Sequence, residues 1–244
     1  MPFTFSHPAA ILPVTLLPKK AYSLTGLIVG SIVPDFAYFI NMDSENLYGH
    51  TMHGLFLFDL PIGIIIAIIY HCLVRDTLTD HVPRWIRSRI IEYKKFNWLQ
   101  YMTSNWFIVV TSILFGSVTH LIWDNFTHDN GYFLQYIPVL QKAVYFLGRN
   151  MSVASLLQYI SSVIGGLAII VAFLRMPEYK IPVKSGVNFY WPVFSIIALM
   201  LIAIRISANP GSIHVHYFIV TAITGVLVGL MLTPLVIRTK VFNE

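Results

Sequence analysis

The chain has 244 residues, of which 56% are hydrophobic and only 11% charged, with a mean hydropathy of +0.69. A soluble domain carries about a quarter charged residues, so the Asp, Glu, Lys and Arg here are too few to cover a water-facing surface, and lipid must cover much of it. The net charge of +5 is too modest for a nucleic-acid-binding surface, and a single cysteine, Cys72, excludes both an intramolecular disulfide framework and a thiolate zinc cage.

The N-terminus opens Met1-Pro2-Phe3-Thr4 with no basic region and no small-residue cleavage pattern, so no cleavable signal peptide is expected. A short apolar piece follows at Pro8–Leu17, closed by Pro18-Lys19-Lys20. At about 1.5 Å per residue it covers only half a bilayer, which fits an interfacial helix or one arm of a hairpin with the next helix. Counting back from the turn at Pro18-Lys19-Lys20, the hairpin brings His7 level with Pro34-Asp35 and gives a buried histidine a partner.

Six segments then meet or approach the roughly 20 apolar residues that a spanning helix needs, five clearly and one more weakly. They are Ser23–Ile40, Gly54–Val74, Trp106–Asp124, Ser155–Leu174, Tyr190–Ile206 and Val215–Ile237. The expected fold is all-α: a polytopic transmembrane helical bundle of about six spans plus a short N-terminal helix, with residues 1–244 forming a single domain. The linker from Arg75 to Gln100 is basic and carries Trp85 and Trp98, as a segment lying along the membrane interface does.

Lys and Arg orient the bundle. Six spans place Lys19, Lys20, the 75–100 linker, Arg175, Lys180, Lys184, Arg238 and Lys240 on one side, which is read as the cytoplasm, with the C-terminus there. The opposite side keeps only Lys142, Arg149 and Arg205. The expected location is the inner (cytoplasmic) membrane, as a multi-pass protein.

Ionisable residues inside a membrane are costly and need a partner or a purpose. The sharpest pattern is His120-Leu-Ile-Trp-Asp124-Asn-Phe-Thr-His128. Steps of four residues advance only about 40° around a helix, so all three side chains share one face. Two imidazoles and a carboxylate make a face for zinc or another divalent ion suited to nitrogen and oxygen. The topology brings further groups to the same outer face: Asp35 near the outer end of its helix, and His50 and His53 at the start of the next span. Either histidine of that pair is a candidate ligand.

Other residues carry weaker readings. Arg149, Arg205 and Lys142 suit a phosphate or an anionic headgroup alike. Asp59, beside Pro61 inside a span, fits an acceptor that orients a ligand histidine or a helix-packing hydrogen bond. Gln158, Ser161 and Ser162 have the spacing of polar groups that join helices. His214 and His216 read as an interfacial pair.

With those residues in hand, a resemblance emerges. The opening Met1-Pro-Phe-Thr-Phe-Ser-His7-Pro-Ala, the Gly30-Ser-x-x-Pro-Asp35-Phe stretch, His50-x-x-His53-Gly-Leu-Phe and Ser117-x-x-His120-x-x-Trp-Asp124-x-x-Thr-His128 resemble an uncharacterised bacterial family of polytopic membrane proteins, domain of unknown function 4184. The order His, Pro-Asp, His, His-x-x-x-Asp, His is also similar to membrane-bound metal-dependent hydrolases, and more distantly to the zinc-dependent phospholipase C and nuclease P1 group. The resemblance implies metal ligation by His7, Asp35, His53 (or His50), His120, Asp124 and His128, with Asp35 or Asp124 as the carboxylate between two ions. The second helical His-x-x-x-Glu pair of the soluble enzymes has no counterpart here, so one or two ions are expected, zinc first and manganese or iron as alternatives. The implied activity is hydrolysis of a phosphoester, with a membrane lipid or lipid-linked phosphate as substrate, Asp35 or Asp124 accepting a proton, and Arg149 or Arg205 holding a phosphate oxygen. The competing reading is a non-enzymatic metal-binding membrane protein or an ion transporter. A transport path needs polar groups through both membrane halves, whereas here they gather toward one face.

Overall fold

The computed structural model of the chain describes residues 3–42, 49–182, 189–208 and 214–241. Lys184 lies outside the described residues, as do the side chains of Arg238 and Lys240. Six helices among the described residues are long and apolar enough to cross a membrane. They are α1 (Leu24–Asn41), α2 (Leu55–His81), α5 (Trp106–Thr127), α6 (Val153–Leu174), α7 (Tyr190–Ala208) and α8, whose apolar stretch is Val215–Ile237. Two short helices, α3 (Arg84–Ile90) and α4 (Trp98–Ser104), occupy the basic linker. The chain is a multi-pass, all-α membrane protein.

The structure departs from the sequence reading in three places. The N-terminal piece is a 3-10 helix over Thr4–Leu16, not an α-helix over Pro8–Leu17. Pro8 and Pro13 lack the N–H that an α-helical ladder would use, and the narrower winding tolerates them. At about 2.0 Å per residue this arm extends roughly 26 Å, further than the same residues would reach as an α-helix. Second, β1 (Ala143–Phe146) and β2 (Arg149–Ser152) pair antiparallel, with Val144 opposite Met151. The turn between them is Leu147-Gly148, both with positive φ, which the tight hairpin connection requires. Third, α2 contains two π-helical stretches, Leu55–Asp59 and Tyr70–Val74, and runs on to His81.

The chain forms two compact units. The first comprises the residues up to Asp35, the start of α2 to Ile64, and Asn105–Arg175. Its centre is the contact between α1 and α5, where small residues four apart face each other: Gly26 and Gly30 on one helix, Ser112 and Gly116 on the other. Such spacing lets membrane helices approach backbone to backbone. A Cβ at Gly30 would stand 2.1 Å from the Ile113 carbonyl oxygen, and one at Gly116 would stand 2.5 Å from that of Leu27. Polar groups close the same seam, with the Ser23 N–H donating to Ser112 Oγ at 2.8 Å and Ser117 Oγ donating to the Gly30 carbonyl at 3.2 Å. The N-terminal arm folds back along α1 and packs on α6, its Phe3 N–H donating to Ser162 Oγ at 3.1 Å. The turn at Pro18 is thus a hairpin, as counting back from it expects. Below the β-hairpin, Leu134, Leu140 and Ala154 make a small buried cluster of their own.

The second unit comprises Phe36 onward in α1, Ile65–Ser104, and the chain from Met176. Here α7 packs on α8, and Arg75 is buried at the end of α2. Its guanidinium pairs with Asp76 at 2.6 Å and donates to the Phe96 and Lys94 carbonyls, which ties the linker to the span. The Arg89–Glu178 ion pair and the Tyr179 N–H donating to the Ser88 carbonyl fasten the segment before α7 to α3.

Candidate metal centre

All of the acidic and imidazole groups that converge belong to the first unit. Asp35 sits in a 3-10 turn, Val33–Asp35, that interrupts α1. Pro34 has no N–H to give back to the Gly30 carbonyl, and Ser117 Oγ donates there instead. His120 bonds the next carbonyl, its ring Nδ1–H donating to Ser31 O at 2.8 Å. That bond makes Nδ1 the donor and turns Nε2 the other way, toward Asp35 and Asp124. His50 arrives from the turn before α2, where Thr51 Oγ1 accepts from the Gly54 N–H at 2.9 Å.

Asp35, His50, His120 and Asp124 each offer one atom, and the four atoms lie within 4.8 Å of one another. His50 Nε2 is 3.1 Å from Asp124 Oδ2 and 3.5 Å from Asp35 Oδ1. His120 Nε2 is 3.3 Å from Asp124 Oδ2 and 3.5 Å from Asp35 Oδ1. Tetrahedral bonds of about 2.0–2.1 Å put neighbouring ligand atoms roughly 3.3 Å apart, and these four imidazole–carboxylate gaps are close to that. The chemistry of the donors agrees, since two imidazoles and two carboxylates suit zinc and its first-row neighbours. His120 is 0% and Asp35 1% exposed, and among the described residues no Lys or Arg pairs with either. His120 Nε2 and Asp124 Oδ1 have no hydrogen-bond partner. Burying such groups unpaired is expensive, and a cation among them relieves the cost. These four residues could hold a metal ion.

His7 stands beside the four. Its ring stacks on that of His120 with centroids 3.8 Å apart, and its Nε2 lies 3.5 Å from Asp124 Oδ1 without a hydrogen bond. Burial pushes the His7 imidazole down to about 4, which keeps it neutral. Asp124 therefore faces two ways, Oδ2 to His50 and His120, Oδ1 to His7. His128 reaches the same Oδ1 at 3.7 Å, but its Nδ1–H donates to the Asp124 carbonyl at 3.1 Å and Gln158 approaches its Nε2 at 3.3 Å, so it also serves as the end cap of α5. Of the two neighbouring histidines, the structure brings in His50 and leaves His53 exposed, with its carbonyl accepting from the Phe56 and Leu57 N–H groups.

Two contributors were not singled out by sequence reasoning. Thr4 Oγ1 donates to Asp35 Oδ2 at 2.5 Å, which leaves Oδ1 for the histidines. The Ser31 carbonyl orients His120, a contact that no residue type in the sequence signals. Asp59 is buried at 0% exposure with both carboxylate oxygens unpartnered. Its π-helical stretch packs against the Val33–Asp35 turn, and it lies within the electrostatic reach of His120 and Asp35.

The two arginines are placed differently. Arg149 is exposed on β2 and lines a cavity of about 620 Å³ whose other walls include Phe146, Leu147, Tyr159 and Val163. No member of the four-residue group lines that cavity. Arg205 belongs to the second unit, where it donates to the Met42 carbonyl at 3.1 Å and lies over the Tyr217 ring. Ser161 and Ser162 join helices as their spacing suggests, Ser161 Oγ accepting from the Trp123 indole N–H at 3.3 Å.

A family model described as Domain of unknown function (DUF4184) matches residues 1–235, and the chain belongs to that family. No curated protein and no solved structure matches it.

Proposed function

We propose that the protein is a membrane-embedded, metal-dependent hydrolase that cleaves a phosphoester of a lipid or lipid-linked substrate. The observation that carries this reading is the convergence of Asp35, His50, His120 and Asp124, three of them buried, with ligand atoms spaced for a small divalent ion and two polar atoms otherwise unpartnered. The similarity of the residue order to membrane-bound metal-dependent hydrolases, and to zinc-dependent phospholipase C, supports the choice of reaction.

In this reading Asp35, His50, His120 and Asp124 hold the ion, with His7 and His128 at the second oxygen of Asp124. A divalent ion there would supply a water acidic enough to ionise near neutral pH and would offset charge on a phosphoryl oxygen. The chain's own residues do the rest. Asp124 Oδ1, free of hydrogen bonds, accepts the proton that the attacking water gives up and can return it to the alcohol oxygen released as the P–O bond breaks. Thr4 and the Ser31 carbonyl hold Asp35 and His120 in place. Arg149, exposed on the hairpin, is one cation that could meet an anionic headgroup. The asymmetry of Lys and Arg along the sequence supports a centre toward the outer face of a cytoplasmic membrane.

The near-complete burial of His120 and Asp35 favours a second reading, a metal held for structure alone. Metal analysis of purified wild type, prepared without chelator, beside a His120→Ala, Asp124→Ala double variant separates the two when joined to hydrolysis of a phospholipid and phosphodiester panel. Bound Zn, Mn or Fe in wild type only, with turnover, supports the hydrolase. Metal without turnover supports the structural role. Wild-type protein free of metal defeats both.

A further inference from the structure

We infer that the apolar cavity beside His50 is an acyl-chain site, which holds one chain of a glycerophospholipid with its headgroup end at the metal centre. The inference rests on the hydrolase reading for the identity of the headgroup end, but the cavity itself is independent of it.

The cavity measures about 390 Å³, within the roughly 300–1,000 Å³ range of small-molecule sites. Its walls come from three pieces of the first unit: Leu55 at the start of α2, Val118, Leu121 and Ile122 on α5, and Phe133 beyond the end of α5. His50 is among its walls. The same His50 ring presents Nε2 to Asp124 and Asp35, so the cavity and the four-residue group share a wall. Its surface is almost wholly apolar, which suits hydrocarbon and disfavours a sugar or a nucleotide. Ile122 is half exposed on a helix that crosses the membrane, and Met52 and Tyr132 at the rim are exposed. The open side therefore meets the hydrocarbon of the bilayer, and a chain enters sideways without passing through water. Asn125 keeps the rim in place, donating to the Leu121 carbonyl at 2.8 Å and accepting from the Tyr132 N–H at 2.9 Å. Continuity with the bilayer on one side and with a candidate metal ligand on the other is what singles this cavity out.

The test uses full-length protein in vesicles of phosphatidylethanolamine and phosphatidylglycerol, doped with phosphatidylglycerol carrying a photoreactive diazirine at the end of one acyl chain. After illumination, labelled peptides are mapped by mass spectrometry. Labelling around Leu55 and Val118–Ile122 is expected to exceed that on the outward residues Ile196 and Leu199 of α7, both exposed to the bilayer. Val118→Trp and Ile122→Trp, two variants that fill the cavity from the membrane side, are each expected to cut the excess about tenfold, the scale on which a filled apolar pocket discriminates. Labelling no higher than on α7, or unchanged by both substitutions, overturns the inference. Phosphoester turnover is measured on the same preparations. Enriched labelling without turnover supports the chain site and removes the hydrolase, while turnover without enriched labelling removes the chain site alone.

Discussion

The imidazole rings of His7 and His120 lie stacked with their planes 19° apart, one carried by the N-terminal arm and the other by the spanning helix α5. Two protonated rings at that separation would repel strongly, so the stack requires at least one neutral partner. Burial makes His7 that partner, its value falling to about 4 from the ordinary 6.5.

This arrangement has a pH signature in chelator-treated protein. His7 is depressed in the folded state, so between pH 6.5 and about 4 the unfolded chain binds more protons than the folded one. The stability that neutral His7 contributes is complete above pH 6.5 and is lost as the pH falls toward 4. Thermal unfolding in detergent over pH 7.5 to 4 is expected to show a steeper fall in Tm for wild type than for His7→Phe, which keeps a stackable ring but does not titrate. Equal slopes would show that His7 has no depressed value.

His50 and His53 should behave differently although they are near neighbours in the chain. His50→Ala is expected to reduce metal affinity by about tenfold or more, at least the loss seen when partners outside the ligand set are removed. His53→Ala, an exposed side chain, is expected to leave metal content as in wild type. Elemental analysis of both variants after dialysis against buffered zinc gives the comparison, and a larger loss in His53→Ala would reverse the assignment.

Asp59 is a buried carboxylate with nothing to satisfy it. Replacing it with Asn keeps the shape and removes the negative charge. Apoprotein is expected to gain stability, because the desolvated carboxylate is gone, while metal affinity drops about tenfold through loss of an anion near the cation. Paired thermal shifts with and without zinc report both effects. A variant that loses stability in both states would mark Asp59 as a packing residue.

Gly116→Val places atoms where the Leu27 carbonyl stands. Overpacking of this kind costs about 1–3 kcal/mol, and the seam it opens carries Asp35 on one side and His120 on the other. Both Tm and bound metal are expected to fall together. Gly166→Val, on a helix surface where an added Cβ meets nothing within 4 Å, is the control and is expected to change neither.

Much of this was legible in the sequence because membrane physics leaves few options. Apolar stretches of about 20 residues fixed the spans, and the four-residue step from His120 to Asp124 put both on one helix face. The asymmetry of Lys and Arg was enough to bring Asp35 and His50 toward them. What escaped depends on single hydrogen bonds and local windings with no residue-type signature. His50 and His53 differ by their places in the turn around Thr51, which residue type does not reveal, and the reach of His7 follows from a 3-10 rather than α-helical arm. Asp59 lies on a π-helical stretch that sequence periodicity does not register. The β-hairpin was hidden because Leu147, an ordinary apolar residue, takes a positive φ that its type rarely adopts.

The glycine contact between α1 and α5 also bears on the candidate metal centre. Where two main chains touch, no side-chain rotamer can take up slack, so the backbone beneath Asp35 and His120 is as stiff as the helix pair itself. An ion content with four nitrogen and oxygen donors, such as zinc, would suit that frame, whereas calcium asks for six to eight oxygens and two of these four donors are imidazoles.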